Sequence, residues 1–282
     1  MCPTPLGNLG DMTPRALDAL RSADVVCCED TRVTGKLLAA LGVAGKRLER
    51  LDEEVLGQRA AFVVDRVLAG ETVVYCSDAG MPGVSDPGAR LVSAVRDAGA
   101  SVEVLPGPTA VATAYAASGF SCPRFYFGGF FPRKEGERRR ALDTLAHLEA
   151  VGVFYESPHR LLALLDALSK AMPRRRVAVC RELTKVHEEV VVGSAAELAS
   201  VFAARAEKGG LKGEIAVVID VAGAQEELQA ADEALARAQQ EAGRLLASPG
   251  ATKRDVVERL QGEFGISRND AYRLVHESGA KP

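Results

Sequence analysis

The chain has 282 residues, of which 47% are hydrophobic and 26% charged, and its formal net charge is −3. This length is enough for two domains with separate hydrophobic cores, while the nearly balanced charge excludes a protein-wide positive field and limits nucleic-acid contacts to local basic clusters. No apolar run is long enough to span a membrane and no signal-peptide pattern opens the chain, so we expect a cytoplasmic protein.

Short apolar runs alternate with helical patterns in the first part of the chain. In chain order, the pattern predicts helix 14–21, strand 23–28, helix 58–69, strand 71–76, helix 89–98 and strand 101–105. Thr13 and Pro14 suit the cap and the first position of the first helix. Val-rich strands that alternate with helices are typical of a parallel sheet covered on both faces.

A second set of strands and helices follows Pro106. The predicted strands are 124–127, 151–155, 177–180, 188–192 and 214–221, and the predicted helices are 137–148, 161–171 and 195–206. The set reads as a second α/β unit in which some strands pair antiparallel.

The composition changes at Ala222, after which residues 225–247 are rich in Ala, Gln and Glu. Two helical patterns, 253–264 and 269–276, then flank a turn that contains Gly265, as in a helix-turn-helix-like unit. A plain helical cap on the α/β body is an equally good reading. We therefore predict domains at 1–107, 108–222 and 223–282.

Neither cysteines nor histidines form a metal-binding pattern. The six cysteines show no CxxC spacing, and the four histidines lie far apart in the sequence. We therefore predict that the protein has no metal site.

Polar and glycine-rich segments begin where the predicted strands end. The most informative is 76–88, CSDAGMPGVSDPG, which alone could be a tight surface turn; the others are 4–11, 29–32, 106–110, 127–132, 155–160 and 181–185. Ligands of open α/β sheets bind at the carboxyl ends of the strands, so we expect most of these segments to meet at one crevice. No GxGxxG follows a strand, which disfavours a classical dinucleotide site.

Taken in order, TPLGN, EDTR, SDAGMPGVSDPG, PGPTA, YESPHR and RELTK resemble the tetrapyrrole methylase superfamily, and more closely its small-subunit ribosomal RNA branch. The resemblance covers about residues 4–221 and, less specifically, the helical tail. It implies a two-domain tetrapyrrole-methylase-like α/β fold with a small C-terminal helical domain, and a homodimer. It also implies S-adenosylmethionine as methyl donor and a cytidine ribose 2′-hydroxyl of small-subunit ribosomal RNA as acceptor.

The same resemblance implies which residues contact the cofactor. They are Asp78, Gly80, Met81, Pro82, Val84, Gly107, Thr109, Ala110 and Tyr155, with Glu156 and the strand at 215–218 on the opposite wall. Met81 stands where the family more often has Thr, which matters little if the position contributes its backbone. For Gly80 and Pro82 the alternative is a role in turn geometry alone.

A ribose hydroxyl becomes a good nucleophile when its proton is removed or strongly hydrogen-bonded, although positioning and desolvation supply much of the acceleration. The candidate catalytic residues are Asp30, Arg32, Glu156, His159 and Lys185. Lys185 or His159 could accept the proton if neighbouring arginines disfavoured its charged form. The alternative is a lattice of salt bridges that joins the domains.

Basic residues after the turn at 130–132 are the candidates for RNA contact. They are Arg133, Lys134, Arg138, Arg139 and Arg140, together with Arg160 of the YESPHR segment. Aromatic rings beside cations suit base stacking combined with phosphate pairing. A solvated charged face is the alternative.

The sequence departs from the family at its start. The family has an apolar first strand before the TPLGN segment, and residues 1–3 leave almost none of it. We expect the native start to lie upstream of Met1. Two other functions stay open: a methyltransferase of the same superfamily with another substrate, and a non-catalytic RNA-binding or ribosome-assembly factor.

Overall fold

The computed structural model describes residues 1–247 and 251–278. The chain forms two compact units, Met1–Val221 and Ala222–Pro282. The first unit contains two β-sheets, and the second is helical. Within the described residues, no helix has the length and apolar character needed to cross a membrane.

The first sheet is parallel, with the strand order β2-β1-β3. Its elements are α1 (Pro14–Ser22), β1 (Val25–Cys28), α2 (Thr31–Ala40), β2 (Arg47–Arg50), α3 (Leu56–Leu68), β3 (Val73–Cys76) and α4 (Gly88–Asp97). Thr13 caps α1 by accepting the Ala16 N–H, as the sequence predicted. The pattern missed β2 because its sequence, RLER, is polar and half exposed.

The segment at Met1 runs along β3. The Cys2 N–H donates to the Tyr75 carbonyl (2.8 Å), the Met1 amino group donates to the Glu103 carbonyl (2.8 Å), and the Leu105 N–H donates to the Met1 carbonyl (3.0 Å). Residues 101–105 were predicted to form a strand, and this is wrong: they lie outside any strand. In the described chain their backbone pairs only with Met1, and Pro3 has no N–H to continue a ladder.

The second sheet is mixed, with the strand order β4-β5-β8-β6-β7. Its elements are α5 (Ala110–Ser118), β4 (Phe125–Phe130), α6 (Glu135–Ala146), β5 (Val151–Glu156), α7 (Pro158–Ala171), β6 (Arg176–Arg181), β7 (Glu189–Ser194), α8 (Ala195–Gly209) and β8 (Ile215–Ile219). β4 and β5 are parallel, whereas β8 is antiparallel to both β5 and β6. The predicted antiparallel pairing is confirmed.

Strand β8 runs opposite to both of its neighbours. Its register pairs Ile215 with Glu156 at the end of β5 and with Arg181 at the end of β6. The beginning of β8 therefore lies at the same edge of the sheet as the carboxyl ends of these two strands.

The second unit consists of α9 (Ala224–Leu246), α10 (Lys253–Phe264) and α11 (Arg268–Ser278). Thr252 and Asp255 form a capping box at α10, and Gly265 ends that helix in the left-handed conformation. Ala238, Leu260 and Val275 are among the residues that form its core. The predicted α/β fold with a helical C-terminal region is confirmed.

Candidate active site

A cavity of about 430 Å³ lies where the strand-end segments meet, and its volume is within the range of about 300–1,000 Å³ usual for small-molecule sites. Its walls come from the loops after β1, β3, β5 and β6, the beginning of α5 and the beginning of β8. The strand-end segments thus converge on one cavity, as the sequence predicted.

The glycine-rich loop after β3 is held by the first motif of the chain. Thr4 and Gly80 exchange two backbone hydrogen bonds, of 3.0 and 3.1 Å. Gly80 has φ +83°, and a Cβ there would lie 2.9 Å from Leu6 Cδ2. A side chain at position 80 would therefore be strained and would displace Leu6, which lines the cavity.

The far end of this loop is closed by the Asp86 carboxylate. Asp86 accepts the Gly83 N–H at 2.8 Å and the Gly88 N–H at 2.7 Å, while its neighbour Ser85 has φ +68°. Both residues line the cavity. A non-glycine residue held at positive φ stores backbone strain, a feature that clusters at functional sites.

Five carboxylates line the cavity: Glu29, Asp78, Asp86, Glu156 and Glu214. None of the lining residues in the described part of the chain is Lys, Arg or His. Burial raises the pKa of Glu29, and the nearby Asp86 and Asp78 carboxylates add to this effect. Burial also raises the pKa of Asp78. The cavity thus concentrates carboxylates, and the cations that pair with two of them, Arg160 with Glu156 and Lys185 with Glu214, lie outside its lining.

Glu156 is the most buried of these carboxylates, with 3% of the residue exposed. It accepts the Ser157 N–H at 2.7 Å and pairs with Arg160 at 3.1 Å. Burial raises the pKa of Glu156 even though this hydrogen bond and the charges of Arg160 and Arg133 oppose the shift. Arg160 also donates to the Phe131 carbonyl at 2.5 Å, so it ties the 130–132 turn to the cavity wall.

Lys185 lies just outside the cavity lining, between two carboxylates. Its Nζ donates to Glu182 Oε1 (2.8 Å) and to Glu214 Oε2 (3.1 Å). Burial alone would lower the pKa of Lys185, but the two carboxylates raise it above its ordinary value. Lys185 is therefore a cation at neutral pH and a poor proton acceptor.

Two glycines make room for this arrangement. A Cβ on Gly7 would overlap Lys185 Cγ, and a Cβ on Gly213 would lie 2.5 Å from Glu182 Cγ. Glu182 and Thr184 have φ of +54° and +68°. The RELTK segment is thus packed against the TPLGN segment through the Lys185 stem, and backbone hydrogen bonds such as that from the Glu182 N–H to the Glu214 carbonyl (2.9 Å) also hold its positive-φ conformation.

The structure brings most of the predicted cofactor residues to the cavity. Those that line it are Asp78, Gly80, Met81, Val84, Thr109, Ala110 and Tyr155. Pro82 is buried outside the lining, and Gly107 packs on Pro3, whose ring a Cβ at position 107 would overlap. Both residues support the loops that form the wall.

Of the predicted catalytic residues, Glu156 alone lines the cavity within the described chain. Arg32, with 86% of its side chain exposed, pairs with Asp30 at 2.6 Å. That guanidinium, through its hydrogen bonds, lowers the pKa of Asp30. The Asp30 N–H donates to Asp78 Oδ1 at 3.1 Å, which connects this pair to the cavity. His159 is exposed and follows Pro158, a lining residue.

The predicted RNA-contacting residues differ in exposure. Arg133, Lys134, Arg139 and Arg140 are exposed and Arg138 is partly exposed, all at or near the beginning of α6. Arg160 is instead engaged with Glu156 and with backbone carbonyls. Its position indicates a structural role at the cavity wall.

Sequence reasoning did not assign Glu214 to the site, although Glu214 lines the cavity. It placed Phe130 within the segment 127–132 expected at the crevice, without naming it as a site residue, and Phe130 also lines the cavity. Glu214 reads as an ordinary residue before a strand, and only the antiparallel direction of β8 brings it to the ends of β5 and β6. Phe130 lies beyond the predicted strand 124–127 but is the last residue of β4, and 59% of it is exposed. The preceding Gly128-Gly129 pair is a signal that could have indicated a bulge.

S-adenosylmethionine fits these residues. It carries a sulfonium and an ammonium cation, which the lining carboxylates attract, and it has polar groups that can bond to exposed backbone in the 77–86 loop. A phosphate-bearing cofactor fits poorly, because no basic side chain among the described residues lines the cavity.

Comparison with known proteins agrees with this arrangement. The protein-family model of the tetrapyrrole (corrin/porphyrin) methylases matches residues 2–199 of this chain. The ribosomal RNA small subunit methyltransferase I of Mycobacterium tuberculosis is 50% identical over 218 residues, which are 77% of this chain and 75% of that protein. The protein of the same name from Halalkalibacterium halodurans is 36% identical over 276 residues, 97% of this chain and 93% of the relative.

Solved structures show the same fold at lower identity. Cobalt precorrin-4 methyltransferase has a TM-score of 0.58 at 20% identity, covering 77% of this chain and 92% of the other. Uroporphyrin-III C-methyltransferase from Thermus thermophilus, in complex with S-adenosylhomocysteine, has a TM-score of 0.53 at 19% identity and covers 78% of this chain and 95% of the other. The chain therefore belongs to the tetrapyrrole methylase family of S-adenosylmethionine-dependent methyltransferases, which confirms the family and the enzyme class that its motifs predicted.

Proposed function

We propose that this protein transfers a methyl group from S-adenosylmethionine to the ribose 2′-hydroxyl of a cytidine in small-subunit ribosomal RNA. The observation that carries the proposal is a cavity lined by carboxylates with an exposed basic segment, residues 133–140, close to its rim. The cavity suits a cationic methyl donor and the segment suits an RNA backbone. The names of the relatives at 36% and 50% identity support ribosomal RNA as the acceptor.

When bound, S-adenosylmethionine supplies an electrophilic methyl group. In this proposal the loop at 77–86, the Thr109-Ala110 turn and Tyr155 hold the donor, while Glu29, Asp78 and Glu156 attract its positive charge. Their carboxylates are partly or fully desolvated, and a desolvated charge attracts a cation more strongly than a solvated one does.

The acceptor side of the site uses other residues. Lys185 is protonated, so we assign it the orientation of an oxygen atom of the RNA rather than removal of the hydroxyl proton. His159 retains the role of proton acceptor in the proposal, since it is exposed next to the lining residue Pro158. Arg32, oriented by Asp30, is exposed and suits a phosphate contact.

The proposal also covers partners and location. We take the assembled or assembling small ribosomal subunit as the substrate, a homodimer as the working form, and the cytoplasm as the place of action. The edge strand β4 exposes Phe125 and Tyr126 by 46% and 45%, a surface that a second copy would cover. The mass of the protein in solution tests the dimer directly.

Transfer of the tritiated methyl group of labelled S-adenosylmethionine tests the reaction, with small ribosomal subunits from a strain that lacks this enzyme as the acceptor. Nucleoside digestion and mass spectrometry of the product should reveal 2′-O-methylcytidine, and calorimetry should show cofactor binding without RNA. A methylated base would contradict the ribose assignment.

Two other results would redirect the assignment. Cofactor binding without transfer to RNA would retain the family but exclude this substrate. Neither binding nor transfer would favour a non-catalytic ribosome-assembly factor.

A further inference from the structure

A β-bulge in β4 determines where Phe130 lies. β4 pairs with β5 in register from Phe125 to Phe127, but Phe130 then pairs with Tyr155, so β4 has one residue more than its partner over this interval. The bulge occupies Gly128 and Gly129. A Cβ on Gly128 would overlap the Phe154 ring, and Gly129 has φ +70°. These positions require glycine, and the bulge they form re-aims the next side chain.

The bulge gives two consecutive phenylalanines opposite environments. Phe131 is 1% exposed and belongs to the core around Phe154, whereas Phe130 is 59% exposed and lines the cavity. The Phe130 ring contacts that of Tyr155 at a centroid distance of 5.7 Å. Phe130 is therefore an aromatic surface at the open side of the cavity, and core packing does not explain its residue type.

The turn that carries Phe130 is firmly held. The Phe131 N–H donates to the Tyr155 carbonyl at 3.2 Å, which closes the bulge. Arg160 donates to the carbonyls of Phe131 and Pro132 and pairs with Glu156. A ring held in this way loses little conformational freedom when a planar group stacks on it.

The chemistry on either side of Phe130 indicates the occupant. On one side is the carboxylate-lined cavity, and on the other, only three residues along the chain, Arg133 and Lys134 begin the basic segment 133–140. A nucleotide whose ribose enters the cavity would have its phosphates near those cations and its base near the Phe130 ring. Stacking on aromatic side chains is how single-stranded RNA bases are held.

We propose that Phe130 is the platform on which the target nucleobase of the RNA stacks while its ribose enters the cavity. This inference rests on the proposed function, because it assumes an RNA acceptor. Stacking does not select one base, so Phe130 positions the nucleotide without specifying cytosine.

The chain contains no tryptophan, which makes Phe130→Trp a single-tryptophan reporter whose signal is read as the difference from the wild-type protein in the same mixture. We expect small ribosomal subunits to quench its emission and S-adenosylmethionine alone to leave it unchanged. Leu68→Trp is the matched control, because Leu68 is 60% exposed on α3 and does not line the cavity. Quenching of the Phe130→Trp protein by the cofactor alone would overturn the proposal, since Phe130 would then stack on adenine.

Kinetics provide the second measurement. Phe130→Ala should lower kcat/KM for the ribosomal subunit by about 5- to 150-fold, the effect expected for one base stack, with the calorimetric affinity for S-adenosylmethionine unchanged. Phe130→Tyr should restore most of the activity, and Phe130→Leu should not, because only an aromatic ring provides a stacking face.

Three outcomes would overturn the proposal. The first is a wild-type kcat/KM in Phe130→Ala, and the second is equal activity of Phe130→Leu and Phe130→Tyr. The third is a mass in solution for Phe130→Ala that differs from that of the wild-type protein, which would place Phe130 at a dimer interface. The wild-type protein, run in the same assay, tests the proposed function separately. If it transfers no methyl group to the subunit, the proposed function fails, and quenching by the subunit alone then decides whether Phe130 binds RNA bases.

Discussion

The cavity and the basic segment 133–140 carry opposite charges. They are nevertheless neighbours along the chain, because the turn after the lining residue Phe130 leads directly into the segment. The described cavity lining contains five carboxylates and no basic side chain, whereas the segment contains five basic residues and two glutamates. Of the cavity carboxylates, Glu29, Asp78 and Glu156 are partly or largely desolvated, whereas most of the basic residues are exposed.

This difference separates two kinds of electrostatic binding. A desolvated carboxylate attracts a small cation at short range and is little affected by salt, while exposed arginines attract a polyanion through a field that salt screens. A protein whose net charge is −3 can thus bind both a cationic donor and an RNA, because the two ligands meet different local charge.

Substitution of Arg138, Arg139 and Arg140 by Glu reverses the charge of the basic segment and should have the largest effect on binding. If each contacts one phosphate, the slope of log affinity against log salt concentration should fall by about two to three units, and RNA affinity at low salt by about 100- to 1,000-fold. Binding of S-adenosylmethionine should not change. Filter binding across a salt series and calorimetry provide the two measurements.

A matched control is reversal of Arg15, Arg21 and Arg96, which changes net charge equally. These residues are exposed on α1 and α4, and none lines the cavity. If both triple variants lost RNA affinity to the same extent, net charge rather than the segment would be responsible.

Lys185 tests the acceptor side of the cavity, since it is a cation held by Glu182 and by the lining residue Glu214. Lys185→Ala should lower methyl transfer by about 10- to 100-fold while changing the affinity for S-adenosylmethionine less than about threefold, because the carboxylates that attract the donor remain. Lys185→Arg should recover part of the rate. Lys170→Ala, which removes an exposed lysine paired with Asp166, serves as control.

A parallel loss of cofactor affinity and transfer in Lys185→Ala would assign Lys185 to the cofactor wall. The melting temperature of each variant must be measured alongside. Lys185 lowers the pKa of Glu182 through their hydrogen bond, so its removal leaves a partly buried carboxylate without its partner.

Particular residues show how far the sequence predicts this molecule. Strands β3, β5 and β8 are apolar runs that periodicity finds, because they are largely buried. β2 was missed because an exposed edge strand has no apolar alternation, and 101–105 was overpredicted because an apolar run does not reveal whether a partner strand exists. Local pattern predicts burial well, but pairing depends on distant residues such as Met1.

The site shows the same limit. Strand-end motifs place Gly80, Thr109 and Tyr155 at the cavity correctly, since each follows or begins an element that periodicity identifies. The protonation of Lys185 could be anticipated only in part. Glu182, three residues away, is visible in the RELTK segment, whereas Glu214 lies 29 residues away and reaches Lys185 through the antiparallel course of β8. Charges brought together by tertiary structure are invisible to spacing.

Gly213→Ala should have a smaller effect on methyl transfer, because it changes the position of Glu182. Gly213→Ala combines φ +98° with a Cβ that would lie 2.5 Å from Glu182 Cγ, so Glu182 must move away from Lys185. We expect a loss of about 1–3 kcal/mol in the free energy of unfolding and about a tenfold slower transfer. Gly210→Ala is the control, because Gly210 has φ +79° but no atom within 4 Å of its Cβ position.

The difference between these two variants separates the steric effect of the Cβ, on Glu182 and on the cavity that Gly213 lines, from the cost of positive φ. Denaturant unfolding and single-turnover transfer measure the two effects. Equal losses of transfer would show that Glu182 does not hold Lys185 in its working position.

The smallest effect concerns the charge of the ligand itself. S-adenosylmethionine has a sulfonium cation that S-adenosylhomocysteine lacks, so the cavity carboxylates should favour the former while they are ionised.

Burial raises the pKa of Glu29, Asp78 and Glu156, so these groups take up protons at a higher pH than ordinary carboxyls do. As pH falls from 8 toward 5, the affinity for S-adenosylmethionine should therefore decrease more than that for S-adenosylhomocysteine. Glu156→Gln should reduce the preference for S-adenosylmethionine by about two- to fivefold at pH values where Glu156 is ionised, roughly the effect of one partly screened charge, and should have little effect where Glu156 is protonated. Calorimetric titration of both ligands across the pH series measures it, and equal pH dependence for the two ligands would mean that the carboxylates do not sense the sulfonium charge.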